Sequence, residues 1–259
     1  MDGPVRILFA SSEVTPFANI SEMSDLVRNV PEYLQEYGGF ESRIMMPRYG
    51  LISERRNRLH EVIRLSGASI PLGDDSETLK VKVASIPGIR LQVYFMDSVQ
   101  YFKRKGIYID RDGTMFSDNL TRAVLFARSV IETASNLGWS PDVVHAHGWL
   151  ASLVPVLLKT EFSDSPLFGE ASVIYSADGF ELDESFSAEA AEAFGLPNDD
   201  RLIDKPLSEV GPAFADKIVT GAGSTNHPEG AVHLEGDVEE MTAQAVKLYG
   251  QLAKAGVEA

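Results

Sequence analysis

The chain of 259 residues contains no cysteine, which excludes disulfides, thiolate metal sites and a cysteine nucleophile. It is also short of basic charge. With 23 Lys and Arg against 38 Asp and Glu, the formal net charge is −15. A surface of that sign repels nucleic acid and anionic lipid, so neither is expected as a partner. Two basic clusters interrupt it, RRNR at Arg55–Arg58 and KRK at Lys103–Lys105. Neither has interleaved aromatics, and both read as solvated faces. No apolar run approaches the roughly 20 residues a membrane helix needs. The start, MDGPVRILFA, carries an early acid and only a brief apolar run; it does not resemble a signal peptide, and the cytoplasm is the expected location. Three phosphate or nucleophile motifs are missing too: G-x-x-x-x-G-K-S/T, G-x-G-x-x-G after a strand, and G-x-S-x-G.

What is present alternates. Short apolar runs predict strands at Val5–Ala10, Glu41–Met46, Val143–Ala146, Ser172–Ser176 and Lys217–Thr220. Helices are expected at Glu22–Tyr37, Ser117–Leu137, Leu150–Thr160, Ser187–Phe194 and Val238–Lys254, all but the third closed by a nearby glycine. Alternation of this kind calls for an α/β fold with a parallel sheet and helices on both faces. The length suits one large domain. Residues 59–96 change texture, with three strand-like runs between Gly, Pro and Asp turns, and read as an antiparallel insertion or sheet extension. The stretch GAGSTNHPEGAVHLEG, from Gly221, is linker-like, so its His227 and His233 are expected to be exposed.

The first strand and helix, ILFASSEVTPFANISEMSDLV, meet at a turn where an α/β protein commonly uses glycines to bring backbone amides to a phosphate. Here the turn carries Asn19, Ser21 and Glu22. Glycine allows positive φ and close approach; Ser21 and Glu22 do not readily do so. A carboxylate at a helix start complements the dipole but opposes a phosphate. Two like charges near 4 Å cost about 4 kcal/mol at an effective dielectric of about 20, a penalty of roughly a thousandfold in affinity.

Three ordered segments carry a resemblance: ASSEVTPFA with SDLVRNVPEYL; SRIMMPRYG; and the block from VYFMD through SDNLTRAVLFARSVIE to PDVVHAHGWLASLVPVLLK. Together they resemble the N-terminal domain of the glycogen and starch synthases, the family-five retaining glucosyltransferases. The first is similar to that family's S-S-E-x-x-P-F-x-K-T-G-G-L-x-D-V-x-x-x-L-P, and the last keeps its D-N-x-x-R and P-D-V-V-H-A-H-x-W motifs. The likeness covers most of residues 5–160 and weakens towards 220. It implies a Rossmann-like domain, one of the two that face each other across the cleft of a GT-B glycosyltransferase. ADP-glucose is then held mainly by the other domain. Residues 1–259 are expected to form the N-terminal domain alone, with the helix near 238–254 covering surface that a linker and second domain would bury.

The resemblance also marks departures. Asn19 stands where the family has a donor-contacting lysine, and Ser21 and Glu22 replace its two glycines. Gly148 takes the place of the aspartate in the H-A-H motif, Leu150 that of a following histidine, and Ala177 that of the histidine that contacts the transferred sugar. Transfer needs positive charge on the departing diphosphate and support for an oxocarbenium-like centre, and these positions no longer offer either. By the same carry-over, Glu13, Asp25, Asp118, Asn119, His145 and His147 are the candidates for substrate contact. His145 and His147, two apart on a strand, point to one face, with Asp142 and Asp178 as nearby carboxylates; lacking a further ligand at fixed spacing they are weak evidence for metal, and neither metal nor cofactor is expected. The acids in DGFELDE resemble a glycosidase pair by composition alone.

The reading that follows is a glycogen/starch-synthase-like domain with absent or strongly impaired catalysis, acting as a glucan- or protein-binding module. Its expected partners are an α-glucan or malto-oligosaccharide, ADP-glucose only weakly, or another protein. The alternative is half of a split ADP-glucose:α-1,4-glucan glucosyltransferase, completed by a separate donor-binding subunit.

Overall fold

The computed structural model describes residues 3–21, 23–177, 184–221 and 229–258. Glu22, Asp178 and His227, and most of the GAGST and DGFELDE runs, lie outside the described residues. The chain opens with β1 (Val5–Ser11), α1 (Met23–Tyr37), β2 (Phe40–Pro47), the single turn α2 (Glu54–Asn57) and β3 (His60–Glu61). A hairpin, β4 (Ser69–Leu72) and β5 (Asp75–Thr78), precedes β6 (Lys80–Ser85) and β7 (Gln92–Asp97). Then come α3 (Asn119–Leu137), β8 (Val143–His147), α4 (Leu153–Lys159), β9 (Ser172–Ser176), α5 (Ala188–Ala193) and α6 (Leu207–Phe214). The last are β10 (Lys217–Thr220), β11 (Val232–His233) and α7 (Val238–Glu258).

Among the described residues, nine strands form one sheet in the order β11-β10-β9-β8-β1-β2-β7-β6-β3. From β11 to β7 each neighbouring pair is parallel; β6 runs antiparallel to β7, and β3 antiparallel to β6. Of the three strand-like runs in 59–96, then, only the first two add antiparallel strands. The third, β7, joins the parallel sheet beside β2. Alternation alone does not separate the two cases, because β7 is buried along nearly its whole length (Val93, Phe95, Met96) as a parallel strand should be.

β1 lies at the centre. Ile7, Leu8, Phe9 and Ala10 are each 0–1% exposed, so both faces of the strand are covered. α1 supplies Met23, Val27, Val30 and Leu34, spaced to form one apolar stripe, and packs beside α7; α3, α4 and α6 pack on one another in the other helical layer. α3 closes on Gly138 at φ 60°, whose amide bonds back to the carbonyls of Ala134 and Ser135. α6 is not evident from pattern, being eight residues with Pro212 inside it. Its fit depends on Gly211, where a β-carbon would overlap the buried Tyr175 ring of β9. The linker-like stretch contributes β11, and His233 is half-buried and bonded to Thr220 rather than exposed. No described helix is long and apolar enough to cross a membrane.

The chain leaves β1 for β2 on one side, while β8 lies on the other. In an open parallel sheet the crevice outside the carboxyl ends of such a strand pair is where ligands bind. Here it falls between the turn after Ser11 and the turn after His147.

Candidate functional site

The turn after β1 is held by its own residues. The hydroxyl of Ser11 donates to the Glu13 carbonyl (2.6 Å) and accepts from the Glu13 amide (3.2 Å). Glu13 is 1% exposed. Its carboxylate accepts the backbone N–H of Ile20 (2.5 Å), the backbone N–H of Ser21 (3.0 Å) and the Ser21 hydroxyl. Ser21 in turn receives the Met23 amide on its Oγ (3.3 Å) and the Ser24 amide on its carbonyl (3.2 Å). The amides of Ile20, Ser21 and Met23 are therefore spent on a carboxylate and a hydroxyl of the chain itself. Asn19 is exposed on the same turn, and Asp25 is exposed in the first turn of α1.

The D-N-x-x-R motif builds a brace. Asn119 and Arg122 are both fully buried. The side-chain amide of Asn119 donates to the Tyr108 carbonyl (3.1 Å) and its Oδ1 accepts from Arg122 Nη1 (2.6 Å), while Arg122 Nε donates to the Tyr101 carbonyl (2.9 Å). Together they fasten the 98–118 loop to α3. Asp118 precedes them but makes no side-chain cap bond; it forms a bidentate pair with Arg104 (2.7 and 2.5 Å). Gly50 of the PRYG motif admits this loop, since a β-carbon there would meet the Arg104 carbonyl oxygen at 2.5 Å. Glu184, last of the DGFELDE acids, sits by the same group: burial pushes its carboxyl above the usual range, the Asn119 hydrogen bond pulls it down, and the Asp118 charge pushes it up again.

His145 and His147 are fully buried and stacked, ring centroids 3.8 Å apart, and both rings lie 5.9 Å from Phe9. His145 Nδ1 is 2.9 Å from the Tyr249 hydroxyl of α7 and its Nε2 is 2.8 Å from the Ser176 hydroxyl. Neither ring nitrogen of His147 has a partner among the described residues. Burial holds His147 down to about 3, and burial with the His147 neighbour holds His145 well below the usual imidazole value. Both are neutral at pH 7. Among the described residues no three His, Asp or Glu side chains are grouped to hold a metal.

After β8 the backbone turns at Gly148, φ 79° and ψ 163°, a conformation essentially reserved for glycine. Its amide donates to the Ser176 carbonyl (2.9 Å), tying the ends of β8 and β9 together. Trp149 and Leu150 then turn fully into the core, Trp149 edge-on to Tyr108 at 4.9 Å. Ala177 is exposed at the end of β9. The carboxyl edge of the sheet thus carries Glu13, Asn19, Gly148 and Ala177; Asn119, His145 and His147 lie in the interior beneath it.

Residues 6–227 match the family model described as the starch synthase catalytic domain. The chain belongs to that family. Its segment is 41% identical over 170 residues to the glycogen synthase of Chlorobium limicola, covering 65% of this chain and 35% of that protein. It is 43% identical over 164 residues to the glycogen synthase of Chlorobium luteolum, covering 63% and 33%. The chain spans about a third of the length of these curated relatives. A solved structure of the catalytic domain of starch synthase IV from Arabidopsis thaliana, bound to ADP and acarbose, shares the fold over 96% of this chain and 50% of that one, with a TM-score of 0.69 and 17% identity. This starch synthase domain is thus the N-terminal Rossmann-like half of a GT-B architecture. α7 begins beyond the matched segment.

Five residues of the site are absent from the sequence candidates. Arg122 carries a signal, as the last letter of D-N-x-x-R. Arg104 and Glu184 fall in the KRK and DGFELDE runs, which sequence reads only as a solvated basic cluster and a composition of acids, and Ser176 and Tyr249 meet His145 only through strand register and helix docking, 31 and 104 residues away in sequence.

Proposed function

We propose that residues 1–259 act as a single, cytoplasmic glucan-binding domain of the starch synthase family whose own glucosyl transfer is absent or strongly impaired. The observation that carries this reading is the turn into α1. There the exposed position at which the resemblance places a lysine is the neutral Asn19, and the amides of Ile20, Ser21 and Met23 are taken by Glu13 and Ser21. A diphosphate brought there would find the amides of Ile20, Ser21 and Met23 already bonded and the neutral Asn19 in place of a lysine. Gly148 supports the same reading, because its backbone is one that an aspartate holds only under strain.

The exposed amide of Asn19 on this edge can bond a sugar hydroxyl, and the Arabidopsis structure was solved bound to ADP and acarbose. Calorimetric titration with a malto-oligosaccharide and, separately, with ADP-glucose tests the proposal. Saturable heat with the oligosaccharide and none with ADP-glucose is expected. Heat with ADP-glucose alone would overturn it and favour a domain completed by a separate donor-binding subunit. Heat with neither ligand would also overturn the glucan reading and leave a protein partner as the occupant.

A further inference from the structure

α7 lies outside the family-matched segment, yet it reaches the centre of the fold. It packs along α1 and across β1, β8 and β9. Thr242, Ala245, Leu248, Tyr249 and Ala253 form its buried stripe. The Tyr249 ring stands edge-on to Phe9 (6.1 Å, 83°), and its hydroxyl closes a chain of hydrogen bonds that runs from Tyr249 through both nitrogens of His145 to Ser176. Apart from the Ser172 hydroxyl on the Leu252 carbonyl (3.3 Å), this is the polar tie described between α7 and the sheet, and no described ion pair joins them.

We propose that α7 is a latch: a helix that docks on the sheet as one unit through the Tyr249–His145–Ser176 chain and lifts off in acid before the sheet itself opens. A neutral imidazole donates from one nitrogen and accepts at the other, which matches one hydroxyl on each side. A proton added to His145 creates a charge with nothing to offset it among the described residues. On β1, Arg6 is turned to Glu41; on β8 the neighbour is His147; β9 presents serines and apolar groups. Glu239, Glu240 and Lys247 of α7 are exposed, and on α1 Arg28 pairs with Glu32 while Asp25 and Glu36 face solvent. The charge must therefore be hydrated, and water has to enter through the least firmly held cover. β1 and β9 are fixed by strand ladders on both sides. α7 is fixed by side chains alone.

Hydrogen exchange of the full chain, read as protection factors by mass spectrometry, tests this. On going from pH 7 to pH 5, peptides of 238–253 should lose protection by at least tenfold more than those of 5–11 and 143–147, whose loss only follows the fall in global stability. At pH 7 the Tyr249→Phe variant, which retains the ring and loses the hydroxyl, should show the same selective loss. Equal loss of protection in α7, β1 and β8 at every pH, or an unchanged α7 in Tyr249→Phe, would overturn the proposal.

Discussion

The carboxylate of Glu13 stands 3.0 Å from the backbone nitrogen of Ser21, filling the place at the start of α1 that a ligand phosphate takes in many sheets of this kind. Glu13 belongs to the motif that carries the resemblance; what the resemblance marks as different is the company it keeps, Asn19 and Ser21 in place of a lysine and a glycine. Replacing Glu13 by alanine should cost about 2–4 kcal/mol, because two amides and a hydroxyl lose a charged acceptor in a buried turn. Urea denaturation measures it, and a change under about 1 kcal/mol would show that the turn does not depend on the carboxylate.

Returning one letter should not restore the donor site. Asn19→Lys adds the cation but leaves the amides occupied and Gly148 and Ala177 as they are. No calorimetric binding of ADP-glucose to this variant is expected; saturable binding would show that a single charge was all that the turn lacked.

The buried histidines set an acid limit on stability. His147 titrates near 3 in the folded chain against an ordinary value of 6.5, so the unfolded chain takes up the proton first as pH falls. Stability from this group is complete above about pH 6.5 and declines below it, by up to about 1.4 kcal/mol per pH unit, and His145 acts in the same direction. Urea midpoints at pH 7, 6 and 5 should fall accordingly, and His147→Leu should flatten the fall. A flat profile in the parent chain would contradict the burial of the pair.

Two glycines answer to different constraints. Gly211→Ala presses a methyl into the Tyr175 ring and should cost about 1–3 kcal/mol through overpacking. Gly148→Asp must hold φ 79° and ψ 163°, at a cost of about 1–3 kcal/mol. Thermal denaturation of both variants checks these values, and a Gly148→Asp chain as stable as the parent would remove one support for the proposed loss of the donor site.

Asn119→Ala should loosen the 98–118 loop. It removes the partner of a buried guanidinium, an effect of about 1.5–3 kcal/mol. Limited proteolysis should cut that loop faster in the variant, with α3 intact; an unchanged digestion pattern would mean that Arg122 and Arg104 hold it alone.

The parallel core is legible in the sequence because its strands are continuous apolar runs and α1, α3 and α5 stop within two residues of a glycine, although α7 runs past Gly256, expected to close it, to Glu258. β1, β8 and β9 lie within a residue of where their sequences place them. Less is visible where one residue's role depends on a distant partner. β7 looks like its antiparallel neighbours until β2 is found beside it. α6 is short and holds a proline, so pattern does not mark it. In the site, the motif letters are legible but not their use: Asn119 is a brace, His145 is a link between α7 and β9, and Gly148 is a backbone position as much as a missing aspartate. Such roles follow from register and docking, which sequence spacing does not encode.

The proposed function rests on the proposal that this chain lacks donor chemistry. Release of ADP from ADP-glucose, followed with a malto-oligosaccharide acceptor and the purified chain, is the deciding measurement. No release above that of a heat-denatured control is expected, at catalytic or at stoichiometric protein concentration. Sustained, acceptor-dependent release would contradict the loss.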